Sequence, residues 1–135
     1  MPRHADAIAE AVAARLVEIR PRRFDDPAAT LSAFADASMA ERIDGAISAG
    51  LEAPGAREVT AAHRSDARLA RFEGATYLQP TLVRCARLDH PLANTEYLFP
   101  FASVVEVPDA EALEWMGDTL VVSAITRAPA NRARL

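Results

Sequence analysis

The sequence predicts an α/β fold, a layered structure in which at least some strands pair in parallel. Three observations carry this. Apolar residues recur at helical spacing in the first third of the chain. After Gly74 they give way to extended, β-branched runs. Those runs then alternate with one more short helix. Helices followed by strands that alternate with a helix are the pattern of stacked α and β layers.

The elements follow in order. Residues 5–19 read as a helix, because Ile8, Val12, Leu16 and Ile19 recur at helical spacing with Ala9 and Ala13 beside them. Pro21 stops it. Two prolines and mixed charge make 21–30 a loop. A second helix is expected from Ser38, where Ser38-Met39-Ala40-Glu41 has the form of a capping box. Met39, Ile43 and Ile47 then line one face, and Gly50 lies near the end. Pro54-Gly55 marks a turn, 57–61 a short strand, and 63–72 a helical turn or a loop. Residues 76–78 and 81–83 flank Pro80, which implies a strand with an irregular entry. Residues 89–95 are loop-like, and 101–107 form a strong strand candidate containing Val104, Val105 and Val107. Asp109 caps a short helix to about Met116, and 119–125 suit a buried strand. The tail, 127–135, is polar, Ala-rich and expected to be loose.

Composition narrows the function classes. With 135 residues the chain fits one domain with a real core, and 50% hydrophobic and 25% charged residues are ordinary for a globular protein. A net charge of -4 provides no basic field for a nucleic-acid backbone. Cys85 is the only cysteine, which excludes an internal disulfide and a cysteine metal cage. His4, His63 and His90 show no ligand spacing, so no metal is expected. No apolar run approaches the roughly 20 residues needed to span a bilayer, and the expected location is the cytoplasm.

From Gly74 a family pattern emerges. The stretch Gly74-Ala75-Thr76-Tyr77-Leu78-Gln79-Pro80-Thr81 leads, further on, to Thr95-Glu96-Tyr97-Leu98-Phe99-Pro100-Phe101. It resembles the aldehyde dehydrogenase pattern in which a Gly-aromatic-x-x-Pro-Thr strand precedes a Glu-Glu-x-Phe-Gly-Pro segment. The helix over 37–51 followed by Gly55-Ala56 is similar to that family's Ile-rich helix and Gly-Ala turn, and 119–125 resembles its next core strand. The resemblance implies a partial doubly wound sheet with flanking helices, a single domain truncated at both ends relative to the catalytic domain.

It also implies what is missing. The family's Gly-Gln-x-Cys nucleophile loop, its general-base Glu segment and its cofactor domain have no counterpart in the chain, and no Gly-rich phosphate loop occurs. Hydride transfer needs nucleophile, base and held cofactor together. No bound cofactor and no independent dehydrogenase activity are therefore expected. Phe99 stands where the family has glycine, which would crowd the old nicotinamide cleft.

Individual residues carry the remaining candidates. Glu96 matches the family position that binds the nicotinamide ribose, so the resemblance makes it a cofactor-binding candidate, against a plain structural role. Arg64, Arg68 and Arg71 share a face if their stretch is helical. That makes an anion or partner contact, against a solvated face paired with Asp66 and Glu73. Cys85 reads as a packed thiol more readily than as a nucleophile, because no motif sets a base beside it. Glu41 and Asp44 are taken as a helix cap and a surface charge. Trp115 and Met116 suit a core or a contact with another chain.

A partial sheet leaves edges and apolar helix faces to be covered. The expected role is a non-catalytic accessory subunit that stabilises or completes a partner enzyme, in a homo- or hetero-oligomer. The alternatives are one half of a split NAD(P)-dependent aldehyde dehydrogenase, or a small enzyme with new chemistry in the remnant cleft using His90, Glu96 or the three arginines.

Overall fold

A computed structural model describes residues 4–108, and all but the last two belong to one compact unit, Arg3–Glu106. The helix expected over 109–116 with Trp115 and Met116, the strand over 119–125 and the tail from 127 lie outside the described residues.

Helix α1 spans Ala5–Leu16, three residues shorter than expected. Its last amides, from Glu18 and Ile19, donate to the carbonyls of Arg15 and Leu16, the tighter i to i−3 pattern of a helix running out. Pro21 disfavours the helical conformation for the residue before it, so the turn cannot continue. The apolar stripe read from the sequence is split. Ala9 and Ala13 are fully buried, whereas Ile8 is 54% and Val12 40% exposed.

Helix α2 spans Ala37–Glu52. Its cap is Asp36, whose carboxylate accepts from the Ser38 amide at 2.9 Å and from the Ser38 hydroxyl at 2.9 Å. The capping box at Ser38 does not form. An ionised, extended residue at 36 is the stronger acceptor, and Glu41 is drawn to Arg71 instead, at 2.8 Å. Ala40 and Ile47 face inward and are fully buried.

Five strands follow: β1 Ala56–Glu58, β2 Leu69–Phe72, β3 Ala75–Leu78, β4 Thr81–Cys85 and β5 Phe101–Val105, with a 3-10 turn at Thr60–Ala62 after β1. The stretch read as helical turn or loop, 63–72, ends in β2. It pairs antiparallel with β3 through a two-residue turn at Glu73-Gly74, where φ is 48° and 80°. Positive φ at both central residues is the hairpin turn whose twist matches the strands. The sequence hides it because Glu replaces the usual Asn or Asp.

The larger sheet has the order β1-β4-β5, with β1 antiparallel and β5 parallel to β4. The protein is thus a small α/β fold. Side chains alternate along β4, so Leu82 joins Ala9, Ala13 and Val59 on the α1 side, while Val83 and Cys85 join Ile47 and Leu92 on the α2 side. A helix on each face leaves β4 buried through Thr81–Val83 and again at Cys85.

Candidate functional site

The densest polar cluster lies at the junction of β1, β2 and α2. Period-two alternation turns Ala56 and Glu58 inward and Arg57 outward on β1. The Glu58 carboxylate is then met by two guanidinium groups: Arg64 pairs with Oε1, and Arg68 Nη1 lies 2.7 Å from Oε2. The Thr60 hydroxyl donates to Glu58 Oε1 at 3.1 Å.

Arg68 commits four of its five N–H donors. Its Nε meets Asp44 Oδ1 at 2.7 Å, and its Nη2 meets the Ser48 hydroxyl at 2.7 Å and the Asp44 carbonyl at 3.1 Å, both on α2. Arg64 also donates to the Pro80 carbonyl, just ahead of β4, at 3.0 Å. Burial pulls the Arg64 guanidinium below its ordinary value, and the Glu58 charge opposes that. Two guanidinium ions and two carboxylates balance one another, with Arg64, Arg68 and Glu58 nearly out of water and Asp44 29% exposed. Among the described residues no buried side-chain nitrogen or oxygen lacks a partner. Chemically the cluster is a brace tying four segments together.

The structure therefore separates the arginine trio. Arg64 and Arg68 converge on Glu58, and the exposed Arg71 pairs with Glu41 on α2. The reason is local: 69–72 is a strand, so the shared helical face does not exist. Asp44, read as a surface charge, is an acceptor in the brace. Sequence reasoning also passed over Glu58 and Ser48. Glu58 carried a signal, since it is a charged residue on the inward phase of a strand whose neighbour Val59 is core.

Glu96 is exposed on the loop before β5, and among the described residues no hydrogen bond or ion pair engages its carboxylate. Its neighbours Tyr97, Phe99 and Phe101 form an aromatic group, with Tyr97 edge-on to Phe101 at a centroid distance of 4.8 Å. Phe99 reaches this group and lines an apolar cavity of about 410 Å³ with Phe34, Met39, Leu78 and Leu98.

Cys85 is fully buried at the end of β4, with its Sγ 3.8 Å from His90 Nδ1. That nitrogen also accepts the Leu92 amide at 3.1 Å, while Nε2 faces the Ala53 carbonyl at 3.5 Å. The ring is thus oriented with Nε2 as donor, and Nδ1 is already committed to the backbone. Burial pushes the Cys85 thiol up from its usual value. A thiol with raised pKa beside an occupied imidazole is poorly placed to act as a nucleophile.

A second polar cluster fastens α1. Glu10 Oε2 lies 2.7 Å from His63 Nε2, and Glu10 Oε1 lies 3.1 Å from Arg57 Nη2. The hydrogen bond from His63, then that from Arg57, holds the Glu10 carboxyl below its usual range. Among the described residues no group of three or more His, Cys, Asp or Glu side chains is arranged to hold a metal ion. No helix among them is long and apolar enough to cross a membrane. Compared with known proteins, the chain matches no family model and no curated protein.

Proposed function

We propose that the chain is a non-catalytic accessory subunit, related to aldehyde dehydrogenases, that stabilises or completes a partner enzyme by docking against it. The observation that carries this reading is the outward display of large apolar side chains. Ile8 and Val12 face out from α1 over buried alanines, while Phe24 is 93% and Leu98 82% exposed. Isolated exposed apolar residues are ordinary, but several large ones around a small domain mark contact surface. The inward-facing ionic groups are spent on one another, and Cys85 and His90 are held by core packing and backbone hydrogen bonds. Such an interior supports a scaffold better than a reaction centre.

The solution mass of the purified chain, alone and mixed with the product of its adjacent gene, tests this. The expected result is a stoichiometric complex in which the partner enzyme melts at a higher temperature. A stable monomer that leaves the partner's mass, melting and activity unchanged would overturn it.

The exposed Glu96 carboxylate favours a second reading, half of a split NAD(P)-dependent aldehyde dehydrogenase. A chain supplying the cofactor domain and nucleophile should then gain aldehyde oxidation on mixing. Glu96→Gln should weaken nucleotide binding in that mixture. No activity on mixing removes this reading and leaves the first in place.

A further inference from the structure

The outer edge of β2 offers backbone hydrogen-bonding groups beside a cationic groove. Phe72 and Ala75 flank the two-residue turn and form a hydrogen-bonded pair, so by alternation Ala70 and Tyr77 form the next. The Gln79 amide donates to the Arg68 carbonyl at 2.9 Å, in the same phase. Leu69 and Arg71 therefore turn their N–H and C=O groups away from β3, two residues apart, as an added strand requires.

A groove of about 340 Å³ borders this strand, lined by Asp66, Leu69, Arg71 and Phe72 together with Arg20 and Pro21. Arg71 meets Glu41 through Nη2 and its side chain stays 70% exposed. Arg20 spends Nε on the Val17 carbonyl, and among the described residues no carboxylate pairs with it. Two guanidinium groups thus flank a lining whose single carboxylate is Asp66, on a chain whose net charge is -4. Arg71 shares its charge with Glu41, so Arg20, with which no carboxylate pairs among the described residues, is the group that favours an anionic occupant.

We propose that β2 receives an extended, acidic peptide segment of a partner protein by strand addition. The segment's backbone pairs with Leu69 and Arg71, and its carboxylates meet Arg20 and Arg71. The identity of the partner rests on the accessory-subunit reading; the pairing chemistry does not.

A blocked hexapeptide of alternating valine and glutamate is the probe, with amide hydrogen exchange and fluorescence anisotropy as readouts. Exchange should slow at Leu69 and Arg71 and stay unchanged at Ala70 and Phe72. N-methylation of alternate peptide amides should weaken binding about tenfold or more, the loss of one or two hydrogen bonds. Arg71→Glu should weaken it too. Arg20→Glu, in a loop outside both sheets, should do the same without disturbing the fold.

Equal binding of a control hexapeptide of alternating valine and lysine overturns the proposal, as does protection mapped to another surface. Protection of Leu69 and Arg71 that grows with protein concentration alone overturns it in favour of a second copy. A partner enzyme that binds the Arg20→Glu chain normally retires this groove and leaves the accessory role standing. Peptide binding by a chain that changes no enzyme does the reverse.

Discussion

Glu58 is the residue on which the most structure depends. Its carboxylate sits between two guanidinium groups whose side chains are 5% and 6% exposed, so removing it strands positive charge rather than deleting one contact. Glu58→Ala is expected to cost about 3–5 kcal/mol in urea unfolding, the range for breaking one side of a buried pair. Gly50 is constrained by space. A Cβ there would lie 2.7 Å from Leu92 Cγ, within the core beside α2. Gly50→Ala should therefore destabilise by about 1–3 kcal/mol despite alanine's higher helix propensity, read as a lower melting temperature. Glu73 tests the opposite case, since a residue with a Cβ occupies a position with φ 48°. Glu73→Asn should stabilise by about 0.5–1 kcal/mol, because asparagine tolerates that conformation better. The exposed pair lost with Arg23 offsets little of this.

At the scale of elements, α1 is fastened differently from α2. Its buried face offers Ala9 and Ala13 with the partly buried Leu16, and Glu10 and Asp6 add partly exposed ionic contacts to Arg57, His63 and Arg84. A carboxyl held below its usual value contributes stability above its unfolded-state value and loses it as pH falls through the folded one. Between about pH 6 and pH 3 the wild-type chain should lose more of its urea midpoint than Glu10→Gln does. Equal losses would mean the clamp does not stabilise the fold. The sequence made both helices legible because their apolar residues repeat at 3.6, but it did not give the inward face of α1. Alanines seat a helix closely against a sheet, and periodicity alone assigns that face to the larger Ile8 and Val12. The β2–β3 hairpin stayed hidden for a related reason. Its four-residue strands are too short for alternation to stand out, and Glu73 masks the turn.

At the scale of the molecule, the mixture of helices and strands was readable from the order of elements, while the helix and strand expected over 109–125 lie outside the described residues. The braced cluster was not readable. Glu58 lies on β1, Asp44 on α2 and Arg68 in the loop before β2, and no local spacing announces that they meet. The arginines stood out as a group, yet whether they share a face depends on the local backbone, which is a strand at 69–72. A charged residue on an inward strand phase is the one sequence signal that pointed to the brace, and Glu58 carries it.

The mixed sheet also dictates an order of assembly. Thr81 finds its parallel partner Phe101 twenty residues further on, and Ala56 pairs with Cys85 at still greater separation. The β2–β3 hairpin closes across only two residues. Closing a short loop costs less chain entropy, so the hairpin can form early while the central strand waits for both neighbours to arrive. In pulsed hydrogen exchange during refolding, the amides of Ala70 and Phe72 should gain protection before those of Val83 and Cys85. Until its neighbours arrive, β4 is an apolar strand with both edges open, and that interval is when the nascent chain is most exposed to aggregation.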